Sequence, residues 1–113
     1  MKVIIAGSRD VTNMSYVLDA IAIAQFDITE VVSGMARGAD KLGHLYGKTM
    51  RIPVSEWHAD WDEYGKSAGY KRNVQMGEYA DALIAIWDGQ SKGTKHMIDI
   101  MKKLNKPVSI SYV

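Results

Sequence analysis

Lys2-Val3-Ile4-Ile5-Ala6-Gly7-Ser8-Arg9-Asp10 opens as an apolar run with little polar alternation and then breaks into glycine, serine and charge. A strand that shows apolar residues to both sides has to be covered on both faces. Parallel sheets are covered that way, by their crossover helices. Four further runs read alike: Ile28 to Ser33, Ile52 to Glu56, Ala82 to Trp87 and Val108 to Ser111. Between them apolar residues return at helical spacing, as Met14, Val17, Leu18 and Ile21, as Leu42, Leu45, Tyr46 and Met50, and as Met97, Ile98, Met101 and Leu104. Another helix is expected from about Ser67 to Ala80. Strand and helix thus alternate throughout, which predicts an α/β fold: a single Rossmann-like, doubly wound domain over residues 1–113 with a five-stranded, mainly parallel sheet.

The boundaries agree. Thr12 or Asn13 is placed to cap the first helix, and Asn105-Lys106-Pro107 ends the last, because proline cannot extend a helix. Arg51-Ile52-Pro53 leads into the third strand in a similar way. The connection from Trp57 to Lys66 is long, polar and aromatic, and loops of that length in compact domains are often functional.

A chain of 113 residues leaves no room for a separate substrate domain. Its 47% apolar and 24% charged content argues against disorder and coiled coil, and a net charge of +1 gives no reason to expect strong non-specific binding to nucleic acid or anionic membrane. Cysteine is absent, so disulfides, thiolate metal sites and cysteine nucleophiles are excluded. The first apolar run is too short for a signal peptide or a membrane span, so a cytoplasmic protein without a membrane partner is expected.

In an open α/β sheet, ligands bind outside the carboxyl ends of the strands, where the strand order reverses. That rule nominates Gly7-Ser8-Arg9-Asp10, then Ser33-Gly34-Met35-Ala36-Arg37-Gly38-Ala39-Asp40, then Trp57 to Asn73, and finally Asp88-Gly89-Gln90-Ser91-Lys92-Gly93-Thr94-Lys95. Every one of these loops holds small residues and a cation. Glycines let backbone N–H groups approach an anion and helix N-termini add partial positive charge; taken singly, the same glycines serve tight turns just as well. No Gly-x-Gly-x-x-Gly follows the first strand and no Gly-x-x-x-x-Gly-Lys-Ser/Thr occurs, which argues against a conventional nicotinamide enzyme or P-loop NTPase. No cofactor is expected.

Together with Ala59-Asp60-Trp61, Lys71-Arg72-Asn73, Ala80-Asp81-Ala82-Leu83-Ile84-Ala85 and Gly93-Thr94, these loops make an ordered set that resembles the SLOG superfamily, most nearly its YspA/YpsA-related branch. The resemblance covers essentially the whole chain. More distant members are the Lonely Guy phosphoribohydrolases, the DNA-processing protein DprA, and sensor domains for nucleotide-derived signals such as ADP-ribose derivatives. It implies a nucleotide-like small-molecule ligand and a homodimer or higher homo-oligomer. The ligand would be held by Gly7, Ser8, Arg9, Asp10, Ser33, Gly34, Arg37, Gly38, Asp40, Arg72, Asn73, Asp88, Gly89, Gly93 and Thr94. Arg72, four residues before Met76, matches the Lonely Guy arginine. Of that family's Pro-Gly-Gly-x-Gly-Thr-x-x-Glu motif the chain keeps Gly93-Thr94 but carries Met97 where the glutamate belongs. The phosphate loop is kept and its carboxylate is missing.

Individual residues keep two readings each. Arg72 near a helix start opposes the macrodipole, so it meets either a phosphate or ribose of the ligand or a local carboxylate. Arg37 either meets a phosphate or clamps Asp10 or Asp40, while Asp10 either takes a ribose hydroxyl, orients Arg37 or closes a turn. Trp57, Trp61, Tyr64 and Tyr70 stack on a base or cover the sheet edge or a dimer partner, and covering is preferred for Trp57 and Trp87, which end strands. His58, Asp60 and Asp62 match no helical ligand spacing, and His44 and His96 lie on other helices, so no metal site is expected. Three functions compete: a binding or sensing module for a nucleotide-derived ligand; an N-glycosidic or phosphoribosyl hydrolase using Asp88, Asp99 or Asp10 as a relocated carboxylate beside Arg72; and a DprA-like nucleic-acid protein, which the near-neutral charge disfavours.

Overall fold

In the computed structural model, which describes residues 1–113, the chain runs β1 (Lys2–Gly7), α1 (Met14–Ala24), β2 (Glu30–Ser33), α2 (Ala39–Thr49), β3 (Val54–Glu56), α3 (Trp61–Tyr64), α4 (Ala68–Tyr79), β4 (Ala82–Trp87), α5 (Lys92–Lys103) and β5 (Val108–Tyr112). Strand order is β3-β2-β1-β4-β5 and every pairing is parallel. The chain leaves β1 toward one edge, returns past it to β4, and so creates a switch point between those two strands.

Side chains of the two central strands alternate between two cores. Val3, Ile5, Ala82, Ile84 and Ile86 face Val17, Ala20 and Ala39 on the α1/α2 side, whereas Ile4, Ala6, Leu83 and Ala85 face Met76, Met97, Ile98 and Met101 on the α4/α5 side. Apolar residues are needed on both faces, which is why the sequence shows unbroken runs at β1 and β4. Trp57 and Trp87 pack against the second core as expected of strand-ending aromatics, with the Trp57 ring tilted 45° to that of Tyr79 at a centroid distance of 5.0 Å.

Helix α2 keeps only half of its expected face: Leu42 and Tyr46 pack against the first core, and the other two residues do not. Leu45 and Met50 are 51% and 58% exposed, and the buried positions are Ala39, Asp40, Gly43 and Gly47. The reason is distance. A Cβ on Gly43 would stand 2.7 Å from Ile5 Cβ, and one on Gly47 would stand 2.4 Å from Val54 Cγ2, so this helix lies on the sheet through its backbone and has no space there for leucine. Leu18 on α1 and Leu104 after α5 are also largely exposed.

Asn13 is the cap of α1, accepting from the Ser15 N–H at 2.9 Å. β2 and β3 start two residues later than their apolar runs, and β5 continues one residue further, to Tyr112. The connection expected from Trp57 to Lys66 contains α3, capped by Asp60 through the Glu63 N–H at 3.1 Å, and a 3-10 turn over Gly65–Ser67 that leads into α4. No helix is long and apolar enough to cross a membrane.

Candidate functional site

At the carboxyl ends of β1, β2 and β4 the loops enclose two adjoining cavities, an outer one of about 550 Å³ and an inner one of about 380 Å³. They share Arg9, Ala36, Arg37, Arg72, Asn73 and Gly93, so they form one cleft narrowed in the middle. The outer part is lined by Arg9, Arg37, Lys66 and Arg72 with no aspartate or glutamate, and by Trp61, Tyr70 and His58. The inner part adds Gly7, Asp10, Asp40, Lys92 and Thr94, over a floor of Met76 and Met97. Four converging cations with no carboxylate among them repel one another, and an anionic ligand relieves that repulsion.

Arg72 is fixed from two sides. Its Nη1 donates to the Gly34 carbonyl at 2.6 Å and its Nε to Asn73 Oδ1 at 3.2 Å. The Asn73 amide in turn donates to the Gly93 carbonyl at 3.3 Å and lies 3.2 Å from His96 Nδ1, which ties α4 to the start of α5. Burial holds the Arg72 guanidinium below its ordinary pKa, nearby Arg9 pushes it the same way, and Asp40 opposes both.

Asp40, in the first turn of α2, is only 6% exposed. Its Oδ1 accepts the Gly7 N–H at 3.3 Å, and no side chain donates to it. Burial raises its pKa to about 6, against the lowering pull of Arg72, two backbone N–H groups and Arg9. Desolvation outweighs attraction for both Asp40 and Arg72, and no direct ion pair joins them. They face one cleft as separate, incompletely compensated charges.

Several residues nominated from sequence belong to the loops themselves. Ser8 is buried, and its hydroxyl accepts the Asp88 N–H at 3.0 Å and the Ser91 hydroxyl at 3.2 Å. Asp88 Oδ1 takes the N–H groups of Gln90 and Ser91 at 2.8 and 2.7 Å, and these bonds lower its pKa to about 2. Ser33 Oγ bonds the Asp40 carbonyl at 3.0 Å and accepts the Met35 N–H. Gly38 has φ +85, and a Cβ there would strike the Ser8 carbonyl at 2.4 Å, so it serves a close approach of two loops. Gly89, at φ +82, closes the turn after β4. None of these five lines either part of the cleft.

Of the candidate carboxylates, Asp99 is exposed and pairs with Lys95 at 2.8 Å, one turn along α5 and outside the cleft lining. Asp10 lines the inner cavity, 4.0 Å from Arg37, with both side chains largely in solvent. A pair so exposed is worth little. Lys66, His58 and Met35, from loops that the sequence nominated, also reach the cleft. Glu56 holds His44 Nε2 at 3.1 Å and His58 Nε2 at 3.3 Å, an arrangement that only the fold could reveal because the three residues come from α2, β3 and the loop that follows it. No group of three or more His, Asp or Glu residues is arranged to hold a metal ion.

The family model described as YspA, cpYpsA-related SLOG family matches residues 1–64, which carry β1, β2 and their glycine loops. The chain is also similar to Gene 61 protein of Mycobacterium phage D29, at 36% identity over 117 residues, covering 95% of this chain and 93% of that protein. No solved structure matches it.

Proposed function

The chain belongs to the YspA, cpYpsA-related SLOG family, and from that premise we propose that it is a binding or sensing module that holds a nucleotide-derived, phosphorylated ligand in the cleft at the carboxyl edge of its sheet. The observation that carries the reading is the outer cavity, where four cations converge beside Trp61 and Tyr70 without a carboxylate. Gly93 and Thr94, at the start of the twelve-residue α5, add a helix N-terminus to the same cleft. Binding is favoured over N-glycosidic hydrolysis because Met97, 1% exposed, forms the floor where the resemblance places a glutamate, while Asp88 is occupied by its own turn.

Calorimetry against AMP, ADP and ADP-ribose tests this. At least one should bind, and Arg72→Ala and Gly93→Val should each weaken binding by about tenfold or more, as loss of a charge-assisted contact or blocked access does. Nothing lies within 4 Å of a Cβ at Gly93, so valine there projects into open space and leaves the packing alone. No binding of any probe at millimolar concentration would overturn the reading in favour of a protein-interaction role.

A further inference from the structure

The inner cavity holds a contradiction that a ligand would resolve. Asp40 is almost fully buried in a cleft dominated by cations, yet no side chain donates to its carboxylate, whose donors are the backbone N–H groups of Gly7, at 3.3 Å, and Ala36. A buried carboxylate ordinarily gathers several donors. Because residue 34 has no side chain, this carboxylate and the Arg72 guanidinium can crowd the same stretch of backbone. A Cβ there would stand 2.9 Å from Asp40 Oδ2 and 3.1 Å from Arg72 Nη1, yet the two form no ion pair, which leaves a gap between an acceptor and a donor that both line the inner cavity. A hydroxyl is the group that can serve both, donating to the carboxylate while accepting from the guanidinium. Phosphate fits this gap poorly, since its oxygens would meet Oδ2 as like charges.

We propose that the inner cavity is a sugar-hydroxyl subsite, in which a ribose hydroxyl of the ligand bridges Asp40 Oδ2 and Arg72 Nη1, making Asp40 the residue that selects ribo- over deoxyribo-ligands. This rests on the nucleotide reading above and gives the ligand a direction: sugar at the inner end beside Asp40, phosphate at the outer end among Arg9, Arg37 and Lys66. A binding cleft for a wholly anionic compound would have no use for a buried carboxylate.

The pH dependence follows from the same geometry. The charged groups around the cavity are Arg9 and Asp10 after β1, Arg37 before α2, Arg72 on α4 and Lys92 on α5. Asp40 titrates at about 6, so it accepts as a carboxylate at pH 7.5 and is largely protonated at pH 5. Phosphate binding also changes with pH, but that change is common to ligands that differ only in a hydroxyl and cancels in their affinity ratio.

The experiment compares ADP, 2′-deoxy-ADP and 3′-deoxy-ADP by calorimetry at pH 7.5 and pH 5. At pH 7.5 at least one deoxy probe should bind about tenfold or more weakly than ADP, and that ratio should shrink toward one at pH 5. Asp40→Asn should abolish the selectivity, because an amide that accepts from Gly7 turns its NH2 to the gap. Gly34→Ala, whose Cβ must push Asp40 Oδ2 and the Arg72 guanidinium out of place, should abolish it independently. A merely structural Asp40 would change all three affinities together and leave their ratio in place. Equal binding of the three probes to the unmodified protein, or selectivity retained in both variants, overturns the subsite and leaves the nucleotide reading standing. Failure of all three probes to bind overturns both.

Discussion

Asp40 pays for its position in stability, and the sign can be worked out. Its folded pKa of about 6 lies above the ordinary 3.8, so the folded state binds more protons than the unfolded one between those values. The stability it contributes is present below about pH 4 and is lost as pH rises through about 6. A shift of about two units corresponds to a loss on the order of 2–3 kcal/mol at neutral pH. Asp40→Asn should therefore raise the urea midpoint at pH 7.5 and lose most of that advantage near pH 4. An unchanged midpoint at pH 7.5 would mean that the carboxylate is far better solvated than its burial indicates. Sequence reading placed Asp40 in a glycine-rich loop, but an acidic residue opening a helix looks like an ordinary favourable charge at a helix start. Its depth comes from Gly7 and Gly34 closing around it, which is a matter of three dimensions. Asp88 shows the opposite case: Asp88-Gly89-Gln90-Ser91 reads locally as a turn whose aspartate bonds the following N–H groups, and that local reading describes what the side chain does.

Helical spacing located every long helix and put Leu42 and Tyr46 on the packed side of α2, but it did not show how closely that helix lies on the sheet. A hydrophobic stripe is the usual mark of a buried face, and here the mark was carried by Gly43 and Gly47, whose absent side chains let the backbone approach β1 and β3. The end of α4 was equally hidden. That helix has no basic residue in its last turn, and Lys106, from the segment before β5, supplies one: its ammonium donates to the carbonyls of Gly77, Glu78 and Ala80 at 2.7, 3.0 and 2.8 Å. In sequence Lys106 was only the residue before a proline. Charged hydrogen bonds to the otherwise unpaired carbonyls of a helix end stabilise by about 1.5–3 kcal/mol. Lys106→Gln should thus lower unfolding free energy by roughly 1–2 kcal/mol, against almost no change for Lys102→Gln on the exposed side of α5. Equal urea midpoints for the two variants would show that the three bonds contribute nothing net.

At the scale of the whole molecule, net charge and local charge point in different directions. The formal charge is only +1, and that number argues against a chain built to coat itself with polyanion, but it says nothing of where the charges gather. Alternation of strand and helix did reveal that four loops share one rim, and the observed strand order turns that rim into the switch-point cleft where Arg9, Arg37, Lys66 and Arg72 meet. Low-dielectric walls focus such a field outward, so association of an anionic ligand should be salt-sensitive although the protein is nearly neutral. The Debye length falls from about 10 Å at 0.1 M salt to about 3 Å at 1 M, which screens cations at the mouth before those held against the floor. Arg37 is the mouth residue, with its side chain 75% exposed, whereas Arg72 is held by Gly34 and Asn73. Stopped-flow binding of ADP should accordingly show an association rate that falls several-fold between 50 mM and 500 mM NaCl. Arg37→Gln should flatten that dependence with little effect on dissociation, and Arg72→Ala should act chiefly on dissociation. Association rates independent of salt would mean that the four cations are already neutralised where they stand, and the cleft would then have no field with which to capture its ligand.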